Sequence, residues 1–264
     1  MGSARSAQAV RRAAFRGVCL VASLLALFGC GRKGALIPPE ALAPAPVADL
    51  KAEQQGDDFL LSWSSPEQEE GGGRLTGLAG FRLLRREVLP HDQDCENCPG
   101  AYRPVVAFDL AYPRGVRRAA GRWYYLDTTP SAGRTYQYRV VAVKKDGSES
   151  RPGTPVRLLK VAPLPSPRLR GDLSPVAVTL RWEEPPLPAG VELLGFSVYR
   201  GEGNAPFSPL PVGRLTSDAR RFEDLRVEPG KRYRYHIRSV ARVDGQRVES
   251  PPSNEVTGSL APPE

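Results

Sequence analysis

The chain has 264 residues, 41% hydrophobic and 25% charged, a balance that excludes a wholly disordered protein and leaves room for about two ordinary domain cores. Its 27 Pro and 26 Gly make up about a fifth of the residues, against roughly 12% in average chains, so turns cut it too often for long helices and it suits many short strands. The formal charge of +8 drops to +4 once residues 1–29 are set aside, because Arg5, Arg11, Arg12 and Arg16 leave without any acid, and such a modest excess does not call for a nucleic-acid partner.

Those four arginines precede an uncharged run over residues 17–29. Thirteen helical residues extend about 20 Å, short of a hydrocarbon core near 30 Å, so the run does not span a bilayer. A basic start, an apolar middle and a small-residue end are the parts of a secretory signal, here residues 1–29. The closing Leu27-Phe28-Gly29-Cys30 resembles a bacterial lipobox, with Phe28 bulkier than the small residue usual there. That resemblance implies diacylglycerol on the Cys30 sulfur, cleavage before it and acylation, palmitate-like, of the new amino group. Two or three acyl chains hold a protein persistently at a membrane, at about 0.8 kcal/mol per buried methylene. Gly31 follows where an Asp would retain an enteric lipoprotein at the inner membrane, so the resemblance implies the outer membrane, on its periplasmic face or the surface. The start Cys30-Gly31-Arg32-Lys33-Gly34-Ala35-Leu36 is also similar to very short lipoproteins of lipopolysaccharide assembly, with Ala35 in place of their Pro. A buried N-terminal helix with Cys30 as a core thiol, or a twin-arginine signal from Arg11-Arg12 with Phe15 one position late, are the alternatives. Pro38, Pro39, Pro44 and Pro46 predict a stiff tether over residues 30–46 that holds the body up to roughly 50 Å from the anchor.

Past the tether the sequence is duplicated. Phe59, Leu61 and Trp63 alternate in "DDFLLSWSSPEQ", as do Val176, Val178, Leu180 and Trp182 in "PVAVTLRWEEPP", each a half-buried strand ending at a tryptophan before a proline turn. "GFRLLRRE" from Gly80 is matched by "GFSVYRGE" from Gly195, and "YLDTTPSAGRTYQYRVVAV" from Tyr125 by "FEDLRVEPGKRYRYHIRSV" from Phe222. Asp127, Gly133, Tyr136 and Tyr138 recur at one constant offset of 97, whereas Phe81 recurs at 115. The first copy therefore carries 18 extra residues between Phe81 and Asp127.

This order of a tryptophan strand, a Gly-aromatic strand, aromatic-x-Asp and Gly-x-x-Tyr-x-Tyr resembles the fibronectin type III family, over about 210 residues. The resemblance implies an all-β protein of two tandem fibronectin type III-like (immunoglobulin-like) sandwiches. Trp63 and Trp182 are then core residues, and the Tyr136 and Tyr233 hydroxyls satisfy backbone at a turn. We place domain 1 at 47–161, with an insertion at about 87–122, and domain 2 at 162–260. Pro163, Pro165 and Pro167 form the boundary and predict a semi-rigid end-to-end pair.

Cys19 leaves with the signal, so Cys95 and Cys98 in "HDQDCENCPGAY" are the remaining pair. In an exported protein they predict a local disulfide. A redox C-x-x-C needs a helix N-terminus, and Asp94, Glu96 and Pro99 offer a different setting. Zinc held by both thiolates and His91 lacks a fourth ligand. Two groups are binding candidates. Arg114, Arg117, Arg118 and Arg122 interleave with Tyr112, Trp123 and Tyr124 in the insertion. Arg232, Arg234, His236 and Arg238 should face outward from a strand whose Tyr233, Tyr235 and Ile237 face inward. No phosphate loop, HExxH or hydrolase context occurs. The sequence thus predicts a non-catalytic, lipid-anchored envelope protein without cofactor or metal, acting as a spacer that engages an envelope protein. Its alternative is a binder of anionic glycan or lipopolysaccharide through the Arg rows; a thiol-disulfide enzyme on Cys95 and Cys98 is a third class.

Overall fold

The computed structural model describes residues 38–173 and 177–259. Cys30, the signal segment and the start of the tether lie outside the described residues. Among the described residues the regular structure is sixteen strands and one 3₁₀ turn. Domain 1 contains β1 (Lys51–Gln55), β2 (Asp58–Ser64), β3 (Leu78–Glu87), β4 (Arg103–Asp109), β5 (Val116–Ala119), β6 (Arg122–Asp127), β7 (Thr135–Lys144) and β8 (Val156–Leu159). Domain 2 contains β9 (Arg168–Leu173), β10 (Val178–Glu183), β11 (Glu192–Glu202), β12 (Gly213–Leu215), β13 (Arg221–Asp224), β14 (Arg232–Val243), β15 (Gln246–Glu249) and β16 (Val256–Ser259).

Each domain is a two-sheet sandwich. In domain 1 the order β1-β2-β6-β5 faces β4-β3-β7-β8; in domain 2, β9-β10-β13 faces β12-β11-β14, with β15 and β16 both paired to β14. The alternation predicted for the tryptophan strand holds for the described residues: Phe59, Leu61 and Trp63 are fully buried against Phe81, Leu83 and Tyr138, and Val178, Leu180 and Trp182 pack with Phe196, Val198 and Tyr235 in the second core, while Val176 lies outside the described residues. Burial of each such side chain contributes on the order of 2 to 3 kcal/mol. The repeated Gly-Phe pair has a steric cause. A β-bulge precedes both Gly80 and Gly195, and a Cβ on either would fall about 2 Å from a carbonyl oxygen, 2.1 Å from Phe108 O and 2.0 Å from Leu215 O.

The constant offset of 97 marks one duplicated polar core. Tyr138 donates to Asp127 Oδ2 at 2.8 Å and Arg85 reaches the same carboxylate at 2.7 Å; Tyr235 and Arg200 repeat this on Asp224 at 3.0 and 2.8 Å. Burial, reinforced by the neighbouring carboxylate, raises the pKa of both tyrosines. One turn earlier, the Ser131 N–H donates to the Tyr136 hydroxyl at 3.0 Å and the Glu228 N–H to the Tyr233 hydroxyl at 3.2 Å, so both corners are closed as the resemblance implies.

Two expectations about connections need correction. Residues 39–46, assigned to the extended tether, are docked on domain 1: a 3₁₀ turn at Pro39–Leu42 leads to a bridge between Pro44 and Glu69, the Ala45 N–H donates to Gln68 O, and Lys144 Nζ donates to Leu42 O. Backbone pairing with the 66–74 loop outweighs the polyproline preference there. The sandwiches also do not meet simply end to end. Domain 2's β15 pairs in parallel with β1 of domain 1, joining Gln54 to Val248 and Gln55 to Glu249 in register, so a single nine-stranded sheet crosses the boundary. The 97 offset becomes 100 at Glu149-Ser150 against Glu249-Ser250, giving domain 2 a hairpin three residues longer. There β15 forms a regular strand, while domain 1 has only a Val143–Glu149 bridge. Fully buried Gln54 seals the junction, its Nε2 donating to Val161 O at 2.9 Å and its Oε1 accepting from Val161 N at 3.0 Å. Gln246 accepts from Leu159 N at 2.9 Å, and Val161, Leu164, Ala241 and Val248 form a third apolar cluster beneath.

Candidate functional site between the two sandwiches

The insertion at about 87–122 is resolved into a loop over 88–102 followed by β4 and β5, both integral sheet strands. The loop carries the Cys95–Cys98 disulfide and lies on the outer face of β3 and β7. Buried Arg86 donates to Gln137 Oε1 at 2.8 Å and pairs with Asp94. Glu96 collects Arg139 at 2.5 Å, Arg157 at 3.3 Å and the Gln137 amide at 2.9 Å, and Tyr102 lies under Arg139 with its ring centroid 4.8 Å from the guanidinium. The cations of this face are matched by carboxylates, which sit lower in pKa than usual: for Asp94 the Arg86 hydrogen bond leads, while for Glu96 the Gln137 hydrogen bond and Arg139 overcome desolvation.

The equivalent face of domain 2 lies on β11 and β14. Arg232, Arg234, His236 and Arg238 do project to one side of β14, opposite Tyr233, Tyr235 and Ile237, but they do not form a solvated row. Arg232 is exposed. Arg234 donates to Gly203 O at 2.8 Å and Ala205 O at 2.7 Å, pairs with Glu255, and lies over Phe207. His236 is only 7% exposed, stacked on Tyr199 at 5.0 Å and met edge-on by Phe207 at 4.3 Å. Burial first, then Arg238 and Arg234, push the imidazole pKa down to about 3, so it is neutral at physiological pH. Arg238 donates to Ser250 O at 2.7 Å, and burial disfavours its charge despite Glu249 nearby. The covering element is the β11–β12 loop at 203–212, a region of sequence with no motif.

The insertion arginines also divide. Arg117 crosses to domain 2 and donates to Pro206 O at 3.1 Å. Arg114 stays on an exposed turn, and exposed Arg118 stacks over Trp123 at 5.4 Å. Arg122 and Trp123 are structural and not surface-binding residues. Arg122 pairs with Asp49 and donates to Ser64 Oγ and Ser62 O, each at 3.0 Å; Trp123 is core, its indole donating to Ser65 at 3.1 Å.

The structure thus brings Arg117, His236 and Arg238 together and leaves the other candidates apart. They line a cavity of about 220 Å³ between the loop 203–212 and the outward side of β2 and β6, walled by Tyr124, Tyr199 and Phe207. Of these aromatics Tyr124 was flagged in the sequence, interleaved with the insertion arginines, whereas Tyr199 and Phe207 carry no binding signature there. Among the described residues no group of three His, Cys, Asp or Glu is placed to hold a metal, and no helix is long and apolar enough to cross a membrane.

No protein-family model matches the sequence. Similar solved structures include the FN1–FN3 domains of chicken CNTN1, at 13% identity over 83% of this chain and 67% of that one, with a TM-score of 0.33. The twitchin kinase region from C. elegans is 19% identical over 47% of this chain and 18% of that one (TM-score 0.31). Pectate lyase PelI from Erwinia chrysanthemi, in complex with tetragalacturonic acid, is 21% identical over 35% and 28% (TM-score 0.29). The likeness concerns fold alone. By strand order and corner chemistry the chain is an all-β protein with tandem fibronectin type III-like sandwiches.

Proposed function

We propose that this protein is a non-catalytic, lipid-anchored component of a bacterial envelope, most simply of the outer membrane, whose sandwiches serve as a stiff spacer and protein-interaction module. The observation that supports this reading best is the sheet running unbroken from β1 into β15, with Gln54 and Gln246 binding backbone across the junction. Two domains joined this way resist bending, which suits a strut. The lipobox-like Leu27-Phe28-Gly29-Cys30 supports the anchor. With residues 39–46 docked, only residues 31–38 separate Cys30 from the body, a reach of about 25 Å at 3.1 Å per residue, half that of a free tether. The glycan alternative drew on two exposed arginine rows; Arg122, Arg234 and Arg238 are held by internal partners, so neither row presents a continuous line of free cations and the spacer reading is preferred.

In vivo cross-linking of the tagged protein, followed by mild detergent extraction and mass spectrometry, is expected to recover a defined envelope complex. Cys30→Ala is expected to move the protein out of the membrane fraction, and a cleaved Cys30→Ala protein still found with membranes would sink the anchor. Gln54→Ala with Gln246→Ala should broaden the interdomain distances seen by small-angle scattering and weaken the cross-linked complex. An unchanged complex from a visibly loosened pair would remove the strut role.

A further inference from the structure

The two β-sandwiches present the same outer face to the same connecting loop, and only one of them completes its charge pairing. In domain 1 the loop brings Asp94 and Glu96 to Arg86, Arg139 and Arg157. In domain 2 the loop brings Phe207, Ser208 and Pro209, and no carboxylate is among the described residues lining the cavity. The two cations there each hold one neutral carbonyl: Arg238 that of Ser250, and Arg117 that of Pro206. Glu249 acts on Arg238 from a distance, its oxygens engaged by Ser197, Tyr199 and Arg247. Two buried nitrogens on these walls have no partner among the described residues, Arg238 Nε and His236 Nε2, the latter on a ring more than nine-tenths buried; on the domain 1 face Arg139 Nε is likewise unpartnered. Buried polar groups are nearly always satisfied, and the Arg238 Nε–H, a donor in every protonation state, calls for an acceptor.

The rest of the lining defines what that acceptor is attached to. Tyr124, Tyr199 and Phe207 offer ring surfaces, and Leu60, Leu126 and Pro209 complete an apolar wall. At about 220 Å³ the space lies below the roughly 300 to 1,000 Å³ of sites that hold drug-sized ligands. A guanidinium fork matches a carboxylate through two parallel hydrogen bonds. We propose that this cavity binds a small carboxylate carried on a six-membered ring, the anion held by Arg238 and Arg117 and the ring set among Tyr124, Tyr199 and Phe207. Because Arg117 comes from domain 1 and Arg238 from domain 2, the ligand ties the two sandwiches together. This goes beyond the spacer reading and stands whether or not Cys30 is lipidated.

The test is calorimetric titration of the full chain with phenylacetate, with galacturonate and with uncharged phenylacetamide. Saturable binding of at least one carboxylate is expected, with phenylacetamide at least tenfold weaker. Arg238→Gln should weaken binding at least tenfold, and Arg117→Gln, at an exposed side chain where folding is safe, should weaken it severalfold. Phenylacetate alone would assign an aromatic acid as the source of the carboxylate; galacturonate alone would assign a uronic sugar. Absence of saturation by either acid would overturn the proposal, as would binding indifferent to Arg117→Gln or equal binding of the amide.

Discussion

The loop between β3 and β4 and the loop between β11 and β12 occupy the same place in the two sandwiches, over the outer face of the strand pair that ends at the duplicated tyrosines. The first is long, carries a disulfide and answers each basic side chain beneath it with a carboxylate. The second is shorter, answers with aromatic rings, and leaves Arg238 holding a carbonyl in place of a carboxylate next to a cavity. A closed electrostatic clamp and an open, partly apolar cleft have thus grown on one duplicated frame. Charge completion separates a loop that stabilises from a loop that has room to bind.

That comparison rests on a shared interior, and the largest expected effect comes from breaking it. Asp127→Ala strands Arg85 and the Tyr138 hydroxyl in domain 1 and should cost about 3 to 5 kcal/mol in urea unfolding. Asp224→Ala should cost less, since Asp224 accepts fewer bonds than Asp127, which also holds Thr129 through its amide and hydroxyl. Near-zero effects would mean that the duplicated polar core is not a stabilising unit.

The second prediction is pH-dependent. His236, faced by Tyr199, Phe207, Arg234 and Arg238, has its folded pKa depressed to about 3 from an ordinary 6.5. Between those values the unfolded chain binds a proton that the folded chain does not, so stability falls as pH falls, by up to about 1.4 kcal/mol per pH unit below 6.5. His236→Gln should remove that component from the pH dependence of thermal unfolding; superimposable pH profiles would refute the buried neutral imidazole.

Third, Arg86→Ala should cost about 2 kcal/mol and speed amide exchange in residues 88–102, because it removes the cation beneath Asp94. Fourth, replacing both Cys95 and Cys98 by Ser should cost less than about 2 kcal/mol, since the ring is short and the Glu96 contacts remain to hold the loop. Smallest of all, Arg238→Leu should change stability by less than about 1 kcal/mol, because a buried charge without an ion-pair partner stabilises little. A large loss there, matching Arg86→Ala, would erase the distinction between clamp and cleft.

Much of the frame was legible in the residues. Alternation at Phe59, Leu61 and Trp63 fixed which side of the strand is core, because successive side chains of a strand point to opposite faces. The Gly80-Phe81 and Gly195-Phe196 pairs recur because a bulge and a close carbonyl admit no Cβ there. The site was legible only in part. Tyr233, Tyr235 and Ile237 correctly put His236 and its arginine neighbours on the opposite face, but nothing local says whether that face meets water. Phe207, 29 residues upstream, and Arg117, in the other domain, decide that.

The sequence by itself pointed to two tandem sandwiches and their cores, which depend on alternation and on repetition within the chain, and it offered Cys95 and Cys98 as a candidate pair without deciding their state. The tertiary structure alone decided the parallel junction of β1 with β15, the docking of residues 39–46 and the cavity between the domains. Those features are made by backbone hydrogen bonds at exposed edges and by side chains far apart in sequence. Every residue but proline offers the same backbone donor and acceptor, so no residue pattern marks where one edge meets another.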